Sequence, residues 1–272
     1  MLSLKPAASS FPNSHTQKIF LIFRRILFAV AAAYFCWCVS MRLAERGTSF
    51  AENECMVYYI VNADGMKGLG HSIVLLVGAD GCGTVLSFNG MQRSLTESLM
   101  GKSGIGKMSV GNLSEEETGL FLQTGDLNLE EDQLQDNYDA ALYRPITEEE
   151  YNIILEQTAS YMAAEERFAA LFEVWAGEEN AAEKEAYEQE LEQLGQDGSL
   201  PLYHIYRNNC DHAARLLISA VDPSMQDYVQ HTRRMTPNGN MKAFAKKAES
   251  WGIIMLGEQS LWERILMFLI VF

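Results

Sequence analysis

The spacing of apolar and polar residues changes several times along this chain, and each change predicts an element. Near the start, residues 26–41 form an uncharged apolar run preceded by Lys5, Lys18, Arg24 and Arg25. The run falls short of the roughly 20 residues of a comfortable membrane span and exceeds the roughly 7–15 of a signal-peptide core. The basic flank predicts a cytoplasmic N-terminus and an exported remainder. In "SFAEN", Ser49 and Ala51 offer small residues for signal-peptide cleavage, whereas Arg42 and Arg46 weaken either membrane reading. A buried amphipathic helix is the alternative. Residues 1–51 are therefore read as a membrane anchor or signal segment.

From Cys55 the pattern becomes that of strands. "CMVYYIVNADG" is β-branched and aromatic and stops at Asp-Gly; "GHSIVLLVGADGCGTVLSFNG" is two apolar runs around a glycine-rich turn, the signature of a hairpin. "DAALYRPIT" predicts a further strand ended by Pro145. Between them, 91–137 is polar and glycine-containing and is read as an irregular excursion with short elements.

Helical spacing then takes over. Thr147 followed by Glu148, Glu149 and Glu150 caps a helix and places acid where the dipole favours it. The pattern runs to about Gln193 with a break near Gly177, and its second half is polar enough to be a solvated face. A helical insertion over about 147–199 is expected. "CDHAARLLISAV" predicts one more helix, capped by Asn209 and closed by Asp222-Pro223. Residues 251–272 end in "LWERILMFLIVF", an apolar tail too short to span a membrane alone.

Composition narrows the function. With 48% hydrophobic residues in 272 a real core is expected, and a net charge of −15 argues against a nucleic-acid partner, whose phosphates reward Lys and Arg. The five cysteines are Cys36, Cys38, Cys55, Cys82 and Cys210. The first two lie in the apolar segment. The other three are an odd number and imply no disulfide framework, although a Cys55–Cys82 pair stays open. "GKSGIGKMS" is not a phosphate-binding loop: the required earlier glycine is Thr96, and Met108 follows the second Gly-Lys. Without His-Glu-x-x-His or Cys-x-x-Cys, neither metal nor cofactor is expected.

The remaining chemistry centres on "YRNNCDHAARLL". Cys210 falls in the first turn of its helix, on a stripe with Ala213, Ala214, Leu217, Ile218 and Val221. Free backbone N–H groups and the dipole there favour a thiolate, the nucleophilic form, and could hold an oxyanion. A small buried hydrophobe is the competing explanation. Of the histidines, His15 precedes the apolar run, His212 points away from the thiol, and His204 and His231 lie on stretches of undefined side. His71 stands at the mouth of an otherwise apolar strand and is the candidate base, against the plainer reading of a satisfied sheet-edge histidine.

The order "GHSIVLLVG", "TVLSFNG", then "YHIYRNNCDHAARLL" resembles the circularly permuted papain-like cysteine hydrolases, the lecithin:retinol acyltransferase-like proteins among them. In those proteins the His-bearing hairpin precedes the Cys-bearing helix; "YRPITEEEYNIILEQ" and Pro237-Asn238 add to the likeness, which covers about 55–90 and 140–245. It implies an α+β domain over 52–250: a papain-like antiparallel sheet with a packed Cys-bearing helix. It also implies catalytic Cys210 and His71, with a third polar residue on the strand after His71. A turn around Asp80–Cys82 puts Asn89 opposite Ile73 on the His71 face, with Ser87 two residues away; Asn89 is the candidate third member. The expected activity is a membrane-associated or exported thiol hydrolase acting on a peptide or amide through an acyl-enzyme. Lipid-ester acyl transfer and a non-catalytic membrane-anchored binding module are the rivals.

Overall fold

The computed structural model describes residues 19, 21–32, 54–63, 70–91, 104–129, 134–196, 202–204, 208–222, 237–247 and 250–257. The chain divides into two units, Met1–Ala44 and Glu45–Phe272. In the first, residues 21–32 are helical, with Phe23, Leu27 and Phe28 exposed. Among the described residues no helix is long and apolar enough to cross a membrane. The rest of the expected apolar run (33–41), Ser49, Ala51, His231 and 258–272 lie outside the described residues.

The second unit is an α+β domain built on one antiparallel sheet. Its strands are β1 (Cys55–Asn62), β2 (His71–Val77), β3 (Gly83–Met91), β4 (Gly104–Leu113), β7 (Ala140–Ile146), β8 (Leu202–Tyr203) and β9 (Gly252–Met255), in the order β8-β4-β3-β2-β1-β7-β9. A two-stranded sheet, β5 (Asp126–Leu129) with β6 (Leu134–Asn137), stands apart. The helices are α1 (Glu115–Thr124), α2 (Glu148–Gly177), α3 (Ala181–Gln196), α4 (Cys210–Ser219) and α5 (Pro237–Lys247).

The near-continuous apolar runs of β1 and β2 follow from burial on both faces. On the first face Ile60, Ile73, Leu75, Val85 and Ala141 pack with Phe121 of α1, Leu127 of β5, Tyr138 and Leu256. On the second face, where Tyr59 lies opposite both Val74 and Leu142, α2, α4 and α5 cover the strands. Fully burying each of these side chains contributes about 1.5–3 kcal/mol before the chain's ordering is subtracted.

Several expectations need correcting. The excursion over 91–137 contains a full strand and a helix with a capping box: Glu117 N–H donates to Ser114 Oγ, and the Ser114 N–H to the Glu117 carboxylate. The box is written in "SEEE", but β4 ("GIGKMSVGNL") has no clean alternation because α2 covers part of it. Pro145 does not end β7: it pairs with Met56, beyond the reach of β9, so its missing N–H interrupts no ladder. The residues after 250 do not all form a tail, because Gly252–Met255 completes the sheet against β7 and Trp251 is fully buried. Cys55 and Cys82 are free thiols.

Candidate functional site

Gly70, in the left-handed region at φ 91°, turns the chain into β2, so His71 opens the strand opposite Asn62. The β2–β3 register pairs Ile73 with Ser87, not with Asn89. The expected pairing is thus corrected by two residues, because the turn closes from Gly78 to Cys82 and is centred on Asp80, one residue earlier than a turn over Asp80–Cys82. A two-residue shift keeps every side chain on its face. Ser87 is the residue that reaches the ring: His71 Nε2 lies 3.1 Å from Ser87 Oγ. Asn89 Nδ2 donates to that same oxygen at 3.1 Å and meets His71 only through it. Asn62 Nδ2 donates to Asp136 Oδ1 at 2.6 Å on the other side. The first face therefore ends in a polar row.

Burial dominates the electrostatics of this row. Desolvation pulls the His71 imidazole down to about 4, against a weaker opposing pull from the Asp136 carboxylate, so the ring is neutral near pH 7. Its plane is tilted 46° to that of Tyr138, with centroids 6.4 Å apart.

Cys210 begins α4 as expected, and Asn209 caps the helix by accepting the His212 N–H at 3.0 Å. The β2–β3 ladder stops at Ile73–Ser87, and the next N–H on β2, that of Ser72, is directed at the Cys210 sulfur. The N–H groups of Asp211 and of Cys210 itself also favour the thiolate. Against them, burial pushes the thiol up to about 12, and the Asp211 charge adds to the rise. Cys210 is 2% exposed.

The thiol and the ring approach the end of β2 from different sides. Strand alternation places His71 with Ile73 on the first face, while α4 lies on the second with Tyr59 and Ser72. The structure brings Cys210 against Ser72, the neighbour of His71, and Tyr138 is close enough to respond to both Cys210 and Asp136. Among the described residues no hydrogen bond joins the sulfur to the imidazole. His204 is half-buried and bridges to Asn208 through its backbone, and His212 is half-buried on α4.

Sequence reasoning missed two groups here. The first is the charged cluster behind the thiol. Asp211, fully buried, accepts Arg215 Nε at 2.9 Å, Asn240 Nδ2 at 2.6 Å and the Tyr59 hydroxyl. The Asp-x-x-x-Arg spacing of a helical ion pair was its signal. The second is Tyr203, buried on β8, which burial and the neighbouring Cys210 hold far above the ordinary phenol range; nothing in the sequence marks it out from the other tyrosines. Among the described residues no group of ligating side chains could hold a metal ion. Compared with models of protein families, with curated proteins and with solved structures, the chain finds no match.

Proposed function

We propose that the domain is a papain-like thiol hydrolase of peptide or amide bonds, with Cys210 as nucleophile and His71 as base. One observation carries the reading. A cysteine at a helix start has its sulfur ringed by backbone N–H groups, one of them from the residue next to a neutral histidine that a serine hydroxyl holds. Ser87 Oγ already takes a hydrogen bond from Asn89, and its second lone pair suits His71 Nε2–H. That tautomer leaves Nδ1 as the proton acceptor. At rest both groups are neutral, thiol and imidazole. The proposed reaction needs the His71 ring to swing round the end of β2 to the thiol as a substrate carbonyl enters: the S–H proton then passes to His71 Nδ1, the sulfur bonds the carbonyl carbon, and the helix-start N–H groups receive the oxygen charge. Proton return to the leaving amine and attack by water complete the cycle.

The test is a small electrophilic thiol probe on the folded protein. Labelling of Cys210 should slow at least tenfold in His71→Ala at neutral pH with the unfolding midpoint nearly unchanged. Unchanged labelling in a folded His71→Ala protein rejects His71 as the base.

The near-complete burial of Cys210 favours a second reading, a non-catalytic binding module with a structural thiol. It expects no labelling of Cys210 until the protein unfolds. We further propose that the N-terminal segment engages the membrane with the sheet domain outside the cytoplasm, supported by exposed Phe23, Leu27 and Phe28 beside Arg24 and Arg25. A reporter active only in the cytoplasm, fused at Gly65, should be silent; activity there overturns the topology.

A further inference from the structure

Tyr138 is fastened on both sides to the end of β1, where Asn62 pairs with His71. Before it, Asp136 Oδ1 accepts a hydrogen bond from Asn62 Nδ2 at 2.6 Å. After it, the Asp139 carboxylate accepts the Ala63 N–H at 2.7 Å, and the Asp139 N–H donates to the Val61 carbonyl at 2.9 Å. Tyr138 itself donates its N–H to the Gly125 carbonyl at 2.8 Å. Gly125 closes α1 in the left-handed region at φ 79°, and a Cβ there would fall 2.2 Å from the Tyr138 carbonyl oxygen, so only glycine lets the helix end meet this backbone. The backbone under Tyr138 is thus pinned from β1 and from α1.

The ring lies on the first face. Tyr138 belongs to the same buried cluster as Ile73, two residues from His71 on β2, and is 2% exposed. Phe121 of α1 meets its ring edge-on, with centroids 5.7 Å apart and planes at 82°. The His71 imidazole is 6.4 Å away, centre to centre, within the range of aromatic contact. Three titratable groups face the imidazole. Asp136 of β6, already bonded to Asn62, pulls it weakly upward. Burial holds the Tyr138 hydroxyl well above the ordinary phenol range, so it stays neutral. Across β2, beside Ser72, is the Cys210 thiol at the start of α4. Burial outweighs the Asp136 pull on a ring that is only 9% exposed, so access of water decides its charge.

We propose that Tyr138 is the positioning residue of the base: its ring, clamped between α1 and the end of β1, covers the His71 imidazole and keeps it dry and turned towards Ser87. The role rests on the thiol-hydrolase reading, although the ring contact itself can be tested without a substrate. A phenylalanine ring would cover the imidazole equally well, whereas a smaller side chain would admit water.

The experiment follows the His71 ring signal by NMR against pH in wild type, Tyr138→Phe and Tyr138→Leu, the signal being assigned by its loss in His71→Asn. Wild type should titrate at about 4. Tyr138→Phe should stay within about half a pH unit of that value, and Tyr138→Leu should titrate about one pH unit or more higher, towards the ordinary 6.5. A side chain that only filled space would change the unfolding midpoint and leave the titration where it was. Should Tyr138→Leu fail to fold, the nuclear Overhauser contact between the His71 and Tyr138 ring protons is read in wild type, where it should be present. A wild-type midpoint near 6.5, an equal midpoint in folded Tyr138→Leu, or no contact between the rings overturns the proposal. Failure of the hydrolase reading looks different: the Tyr138→Leu shift is present, but His71→Ala leaves Cys210 labelling unaltered.

Discussion

The two faces of the sheet end in two buried polar clusters, only a strand's thickness apart, and they are built differently. On the second face Asp211 gathers Arg215, Asn240 and Tyr59 around one carboxylate. On the first, His71, Ser87 and Asn89 form a chain of neutral groups. The ionic cluster ties α4 to β1 and α5, so it fixes where the thiol stands. Its members bond the one carboxylate, and burial raises Asp211 while Arg215 and the donors lower it. The neutral chain holds a ring in place without charging it. A neutral ring held this way keeps one nitrogen free to accept a proton.

The largest effect should come from breaking the ionic side. Asp211→Ala leaves Arg215 buried without its carboxylate, and a destabilisation of about 3–5 kcal/mol is expected in denaturant unfolding. A loss under about 1 kcal/mol would mean that the cluster does not anchor α4.

The next test separates the faces by pH. The His71 pKa is lowered to about 4 from an ordinary value near 6.5. The unfolded chain then binds the extra proton in that window, so stability is full above about 6.5, falls as pH drops towards 4 and levels off below. The loss amounts to about 3 kcal/mol at most. Asp211, raised by burial, contributes with the opposite sign at acid pH, so the measurement is the difference between wild type and His71→Asn. The variant should lack the 4–6.5 slope; an equal slope in both would show that His71 is not the group held neutral.

Ser87→Ala removes the ring's partner inside a fully buried position and should cost about 1–3 kcal/mol. It should also slow labelling of Cys210 by letting the imidazole turn. Asn89→Ala should have the smallest effect, about 1 kcal/mol or less, because its half-buried amide touches the ring only through Ser87. If Asn89→Ala slows Cys210 labelling more than Ser87→Ala does, the order of the chain is reversed.

What the sequence by itself determined was everything carried by local periodicity and caps. The Thr147 and Asn209 helix starts, the end of α2 at Gly177, the β2–β3 hairpin and the first-turn place of Cys210 follow from neighbours within four residues, and the structure has them. The face of Ser87 and Asn89 was also legible, because period-2 alternation survives a shift of two residues. The residue that touches His71 was not, since register depends on how the turn from Gly78 to Cys82 closes. Nor could the chain announce that α4 would cover the face opposite the His71 ring, or that the Tyr203 ring would lie on Gly90. Those contacts join segments more than 100 residues apart, and only packing brings such segments together. Strand alternation tells which residues share a face, but the choice of which helix covers which face belongs to the tertiary structure.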